Sequence, residues 1–301
     1  MIKWFKTAAA VSLLLAGTMT ASMSAYGAAP VQPQVFIDGK LQEQPILLQG
    51  YTLVQLIAFN DPEWVSYSYD APARTVVITN PSQNMTVMLQ EGVTEANVNG
   101  TRVKLDAPVQ IIFGRTYVPL RFLSETLGGT VDYITATRQA IVRTPSGEAD
   151  YRKLMTGSLP DARNIAANLS PIPLEKGLTP LGEGFSEDYV FPQGEALRFT
   201  KEYKGLISYI EINEQGLAEV KWQKDTWSAS GKYRESGSKP PAFGESTYFM
   251  YNFSTPAFIK YGTIGSDGKV SDLPPYAISE QRGKSREIFN PVEGEQRTDK
   301  R

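Results

Sequence analysis

The chain has 301 residues, which is long enough for two domains that each bury a core of their own. It contains neither cysteine nor histidine, so disulfides, thiolate metal sites, imidazole bases and histidine-based copper or zinc sites are excluded. The formal net charge is −2 with both signs interspersed, which argues against a nucleic-acid-binding protein.

Residues 1–27 have the pattern of an export signal. Lys3 and Lys6 precede a short apolar stretch over 8–16, and small residues follow around Gly27. The stretch is too short to span a membrane as a mature helix, although an N-terminal membrane anchor is the alternative. We expect a signal peptide and a secreted mature chain without a membrane span, soluble or held to the cell envelope by non-covalent contacts.

A module of strands and one short helix is repeated, with copies over 34–80 and 96–143. The run 45–56 parallels 108–120, with one residue inserted in the second copy. Each copy offers too few strands to bury its apolar face alone, so it needs its twin. The first copy lacks the helix-opening proline and the double glycine of the second, so we expect it to be less regular.

Turn and cap signals define the second copy. Asn99-Gly100 predicts a hairpin, and Gly114-Arg115 predicts another turn. Val118-Pro119 opens a helix, and Gly128-Gly129 ends it. Three leucines share one face of that helix: Leu120, Leu123 and Leu127.

These motifs resemble the copper amine oxidase N-terminal-like domain family, also called the stalk domain. The matching positions are Asn99-Gly100, Asp106-Ala107-Pro108, the run 114–121, the helix end 125–128 and the strand 131–133. The resemblance covers residues 34–145 and implies an antiparallel sheet packed against a helix, as an accessory unit of exported bacterial proteins. It does not imply amine oxidation, because the catalytic domain of those enzymes needs copper-binding histidines and this chain has none.

Arg115 and Arg121 are candidate binding residues at the strand-to-helix corner of the second copy. A guanidinium group there can hold a carboxylate or a sugar hydroxyl. The alternative, which we favour, is that the two arginines pair with Glu125 or Asp106, or cap neighbouring carbonyls, and so fix the corner.

The second half of the chain changes character. Residues 146–177 predict a linker with short helices, interrupted by prolines, and 178–280 predict a second β-rich domain with hairpins over 206–222 and 247–264. Residues 281–301 are charged and lack apolar periodicity, so we expect a disordered tail.

Trp222 and Trp227 are the candidate binding residues of this second domain. With nearby tyrosines they offer a platform on which sugars stack, although aromatic residues that alternate along strands more often belong to the core. The tyrosines are Tyr233, Tyr248 and Tyr251.

Glu183, Glu187 and Asp188 lie in a glycine-flanked stretch that we interpret as an acidic loop. A glycosidase needs two carboxylates at a defined separation, but acidic loops are usually only solvated. We therefore assign no catalytic residue, metal site or cofactor.

The sequence predicts a mainly β (α+β) fold, in which a doubled antiparallel module with a packed short helix precedes a second β-rich domain. The favoured function is that of an exported, non-catalytic binding or scaffold protein that contacts cell-wall polymer or an envelope protein. The alternatives are a secreted enzyme acting on a glycan or peptide, with the repeat as an accessory module, and an extracellular sensor or inhibitor.

Overall fold

The chain folds mainly into β-strands, as the sequence predicts. The computed structural model describes residues 33–59, 64–227, 233–254, 256–278 and 287–301. The predicted signal peptide and residues 60–63 lie outside this part of the chain.

The repeated module contains thirteen strands in three sheets, ordered β10-β11-β4-β3, β12-β13-β1-β2 and β5-β6-β7-β8-β9. Buried residues alternate along β6, which gives this strand one buried face. The strands are β1 (Gln34–Ile37), β2 (Lys40–Leu41), β3 (Ile46–Leu48), β4 (Tyr51–Gln55), β5 (Ser66–Asp70), β6 (Thr75–Asn80), β7 (Met85–Gln90), β8 (Glu95–Val98), β9 (Thr101–Lys104), β10 (Gln110–Ile112), β11 (Arg115–Pro119), β12 (Thr130–Ile134) and β13 (Gln139–Arg143).

A local pseudo-two-fold axis relates the central strands β4 and β11 of the first sheet. Val54 of β4 pairs antiparallel with Val118 of β11, and these two valines are equivalent positions of the repeat. Strand β1 of the first copy pairs with β13 of the second. This pair is parallel, so the module is not antiparallel throughout as expected.

Positive backbone angles at the predicted turns explain the asparagine and glycines there. Asn99 and Gly100 have φ of 50° and 87° between β8 and β9, so the predicted hairpin is confirmed. The second turn is at Phe113 and Gly114, with φ of 49° and 75°, one residue before the predicted one. Arg115 is already the first residue of β11, opposite Ile112.

Helix α1 (Leu120–Thr126) follows Pro119 directly, as predicted. Its three leucines are at most 3% exposed and form one core with both copies. The first copy has only a 3-10 turn (Leu56–Phe59) at the equivalent place. The expectation of a less regular first copy is therefore confirmed.

Helices α2 (Pro145–Thr156) and α3 (Leu159–Asn168) follow, each capped by a hydroxyl side chain. The short helices predicted within 146–177 are present, but they do not form a linker, because Leu154, Met155 and Ala166 are buried in the core of the large sheet. Prolines do interrupt this stretch. However, its two capped helices are amphipathic, and their apolar faces pack against the sheet.

The C-terminal half is one eight-stranded antiparallel sheet, ordered β18-β17-β16-β15-β14-β19-β20-β21. The predicted hairpins over 206–222 and 247–264 are present in it. The strands are β14 (Ser186–Pro192), β15 (Arg198–Tyr203), β16 (Leu206–Ile212), β17 (Ala218–Asp225), β18 (Glu235–Gly237), β19 (Ser246–Asn252), β20 (Phe258–Ile264) and β21 (Val270–Ala277).

The prediction of a disordered tail over 281–301 is wrong for residues 287–301. This segment has no regular secondary structure, yet Ile288 and Phe289 are 2% exposed and belong to the sheet core. Its charged residues find partners more than a hundred positions away in the chain, which local composition cannot reveal. Residues 281–286 lie outside the described part.

The module and the large sheet are joined by specific contacts. Phe36 and Ile141 of the module pack against Leu217 of the sheet. The carboxylate of Asp38 accepts hydrogen bonds from the Thr144 amide and hydroxyl, both at 2.8 Å, at the start of α2. A turn of the first copy therefore fixes the helix that follows the second.

Candidate functional site

Arg115 and Arg121 do not form one site. Arg115 begins β11 and Arg121 lies in α1, beyond the other end of that strand, and five extended residues span about 13 Å. Arg115 donates a hydrogen bond of 3.4 Å to Gln44. Within the described residues, neither arginine forms the expected ion pair with Glu125 or Asp106.

The repeat shows that these arginines are not needed to build the corner. The first copy has Tyr51 where the second has Arg115, and Ile57 where the second has Arg121. Tyr51 and Ile57 are 45% and 57% exposed, so neither position is a core position. Both arginines are therefore exposed surface groups, of which Arg115 is hydrogen-bonded to Gln44.

The two candidate tryptophans have different surroundings. Trp222 is 6% exposed and pairs across strands with Tyr209, whose ring lies 5.9 Å from that of Phe243. Trp227, just after β17, is 54% exposed. The two tryptophans therefore do not form a shared stacking platform, because Trp222 is buried, as is Tyr251 at 1%. Of the two tryptophans, Trp227 is the one exposed to a ligand.

Exposed apolar side chains gather around the turn between β15 and β16. Leu181, Phe185 and Trp227 are 52%, 76% and 54% exposed, and we call these three residues the apolar end. The Gly182 amide donates to the Lys204 carbonyl at 3.0 Å, which holds the loop with Leu181 and Phe185 against the turn. Gly205 has φ of +70°, and a Cβ there would lie 2.7 Å from the Cβ of Trp227.

The acidic candidates lie in a strand, not in the loop that the sequence suggested. Glu187 and Asp188 are neighbours in β14 and point to opposite faces. Glu187 accepts hydrogen bonds from Lys201 and from the Tyr189 hydroxyl, both at 2.7 Å, and is engaged within the fold. Glu183 precedes β14.

Asp188 faces Glu202, its cross-strand partner on β15. Burial, and then the negative charge of Glu202, raise the pKa of Asp188 above its ordinary value. Its Oδ1 is buried without a hydrogen-bond partner among the described residues. Glu202 accepts a hydrogen bond of 2.8 Å from Thr226, the residue before Trp227, so the two carboxylates adjoin the apolar end.

Sequence reasoning found Trp227 and Asp188 but missed Leu181, Phe185 and Glu202. Leu181 and Phe185 occur in a glycine-rich stretch, where large apolar side chains have no strand or helix to bury them. That local conflict is the signal that indicates exposure. Glu202 gave no such signal, because only strand pairing brings it opposite Asp188.

A cavity of about 860 Å³ lies between the module and α2 and α3. Its charged lining residues have mixed signs and include Asp38, Lys40, Asp150 and Lys153. Burial raises the pKa of Asp38, outweighing the hydrogen bonds from Thr144. Because Asp38 is engaged with α2, the cavity offers no set of side chains that selects one ligand chemistry.

In the described part of the chain, no group of three or more Asp or Glu residues is placed to hold a metal ion. None of the described helices has the length and apolar character needed to cross a membrane.

The family model of the copper amine oxidase N-terminal domain matches residues 35–142. The resemblance of the doubled module is thereby confirmed, and the match ends just before α2. The matched family is the N-terminal domain and not the catalytic domain, so the module fits a non-catalytic accessory unit. The chain matches no curated protein and no solved structure.

Proposed function

We propose that this protein is exported and acts without catalysis as a binding or scaffold protein of the cell envelope. The observation that carries the proposal is the apolar end, where Leu181, Phe185 and Trp227 stay exposed beside the ends of strands of the large sheet. Folded proteins rarely leave such side chains clustered at the surface unless they meet a partner. The accessory character of the repeated module supports the same interpretation.

The surroundings of the apolar end favour a wall glycan as the ligand. An exposed indole offers a flat apolar face with a polar edge, and carboxylates accept hydrogen bonds from hydroxyl groups. Trp227 and Phe185 supply the faces, and Glu202, which is hydrogen-bonded to Thr226 beside Trp227, supplies an acceptor. The combination suits a ring with apolar C–H groups on one side and hydroxyls around its rim.

Retention on purified cell wall tests this proposal. We expect the mature protein to sediment with wall material, and Trp227→Ala and Phe185→Ala to reduce retention while the far-ultraviolet spectrum stays unchanged. Tyr133→Ala is the matched control, because Tyr133 is 50% exposed on the module, far from β15 in the chain. Equal retention of all four proteins would contradict a binding role of the apolar end.

The two arginines provide a rival location for the same function. If the module contacts the wall, Arg121→Ala or Arg115→Ala loses retention while Trp227→Ala keeps it. Wild-type retention by both arginine variants assigns binding to the sheet domain.

Export is tested by the N-terminus of the extracellular protein. The charged start, short apolar core and small residues predict a mature chain that begins near Ala28 or Pro30. An uncleaved N-terminus on a membrane-bound product would contradict it.

A second candidate function is glycan hydrolysis, which the Asp188–Glu202 pair favours. Asp188 and Glu202 are cross-strand neighbours on one face of the sheet, and retaining glycosidases use two carboxylates that lie close together. Release of reducing ends from wall glycan, abolished in Asp188→Asn, would establish the enzyme. Wall retention by Asp188→Asn without any such release in the wild type would leave binding alone.

A further inference from the structure

Residues 287–301 run without regular secondary structure along a groove between α3 and the large sheet. The Thr298 amide donates to the Gly194 carbonyl at 2.8 Å, and the Arg301 amide donates to the Met155 carbonyl at 3.1 Å. We propose that this groove is a peptide-binding site, filled here by the chain's own segment. The peptide it recognises carries a buried aromatic residue and, six positions later, a glutamate.

The first anchor is Phe289, which enters a pocket of three aromatic rings. The ring centroids of Tyr189, Phe191 and Phe249 lie 5.2, 5.2 and 4.8 Å from that of Phe289, and all three rings meet it edge to face. Edge-to-face contacts of this kind favour an aromatic side chain over an aliphatic one. The pocket therefore selects an aromatic residue at the position of Phe289.

Asn164 of α3 holds the backbone on either side of this anchor. Its Oδ1 accepts hydrogen bonds from the Ile288 and Phe289 amides at 2.6 and 3.0 Å. Its Nδ2 donates to the Phe289 carbonyl at 3.1 Å. One side chain thus pairs with both kinds of main-chain group, as a neighbouring strand does, and it accepts any peptide that fits the pockets.

The second anchor is Glu295, on which four donors converge. The guanidinium of Arg163 binds it through two nitrogens at 2.8 and 2.6 Å, and the Gly194 amide and Thr247 hydroxyl add bonds of 2.8 and 2.9 Å. Both charged side chains are 2% exposed. A planar bidentate pocket closed by further donors is specific for a carboxylate.

The third anchor is Asp299, four residues after Glu295. Asp299 Oδ2 accepts hydrogen bonds from the Ala196 and Leu197 amides, both at 2.7 Å. Glu293 and Gln296 are exposed, so anchored and free positions are interspersed along the segment. This pattern is typical of an extended peptide in a groove, where a few side chains carry recognition.

Because the chain's own segment fills the groove, it competes with any free peptide for the site. A tethered segment has a high effective concentration, so a free peptide competes poorly until the tether is cut. This site uses a different surface from the apolar end, and it does not depend on the proposed wall binding.

The test uses the full chain with a recognition sequence for a site-specific protease inserted between Gly283 and Lys284. After cleavage, a fluorescent synthetic peptide of sequence 287–301 is added and its binding is followed by anisotropy. We expect the labelled peptide to exchange with the cut segment and to bind the uncut chain far more weakly. Unlabelled wild-type peptide should compete with it.

Peptide variants identify the anchors. Phe289→Ala and Glu295→Gln peptides should compete at least about 30-fold more weakly, because the first leaves the aromatic pocket empty and the second leaves the buried Arg163 without its counterion. The matched Glu293→Gln peptide, altered at an exposed glutamate, should compete as well as the wild type. Equal competition by Glu295→Gln, a cut segment that never exchanges, or unfolding of the protein when the segment leaves would each overturn the proposal.

Discussion

The most constrained side chains of this protein are charged groups whose partners are distant in sequence. Arg163 and Glu295 are separated by 132 positions, and Asp38 and the Thr144 amide by 106. Burying such groups is costly unless the partner and further hydrogen bonds are in place. Each pair therefore ties one part of the fold to another, and neither partner can be replaced alone without a penalty.

Glu295→Gln should destabilise the full chain by about 3–5 kcal/mol, because it leaves the buried Arg163 charge without its counterion. Glu293→Gln, at an exposed glutamate of the same segment, should change stability by less than about 0.5 kcal/mol. Urea unfolding of both variants measures the difference. A cost below about 1 kcal/mol for Glu295→Gln would show that the pair does not hold the segment.

The same residue predicts a pH dependence. Burial alone would raise the pKa of Glu295, but the hydrogen bonds and charge of Arg163 outweigh it and hold the pKa below the ordinary value of 4.5. A lowered pKa contributes stability above pH 4.5 that is lost as the pH falls through the folded-state pKa. Wild type should therefore lose more stability on acidification below pH 4.5 than Glu295→Gln does; parallel losses would contradict this.

At the scale of elements, the two copies show how local signals decide a helix. The second copy has Pro119 before its helix and glycines after it, and it forms α1. The first copy has Gln55 in place of that proline and forms only a 3-10 turn before residue 60. The strands around both are equivalent and pair through Val54 and Val118, so the caps decide how regular each helix is.

Leu123 tests the packing of α1. It is fully buried in the module core, so Leu123→Ala should cost about 2–5 kcal/mol. Arg121→Ala, on the exposed side of the same helix, should cost about 0–1 kcal/mol, because no ion pair within the described residues depends on it. Thermal unfolding of the two variants compares them, and equal losses would contradict the assigned orientation of the helix.

Over the whole molecule, the module and the sheet have separate cores and a shared boundary. Every buried residue of the module's main core lies between Val35 and Val142. The contact with the sheet adds Phe36 and Ile141 against Leu217, and Asp38 fixes the start of α2. The main core thus belongs to the module alone, while the boundary fixes how the module continues into α2.

The fragment 34–145 should fold alone, because its main core is complete without the sheet. It should be less stable than the module in the full chain, since exposing Phe36 alone costs about 1.5–3 kcal/mol. Circular dichroism of the fragment should show a β spectrum and cooperative unfolding. A disordered spectrum would place the folding boundary beyond residue 145.

Much of this architecture could be predicted because its signals are local. Asn99-Gly100, Pro119 and the three leucines of α1 specify their elements within a few residues. Glu295 and Glu202 gave no signal, because their partners are brought near only by tertiary pairing. For the same reason a segment that the sequence predicts to be a disordered tail is a packed part of the sheet domain.

The fluorescence of Trp227 tests the central claim most directly. Among the described tryptophans, Trp64 and Trp222 are 6% exposed, whereas Trp227 is 54% exposed, so a change in solvent exposure reports on this residue. Titration with soluble wall glycan should shift the emission to shorter wavelength in a saturable manner, and the shift should disappear in Trp227→Phe. An unchanged emission while the protein still sediments with cell wall would contradict binding at the apolar end.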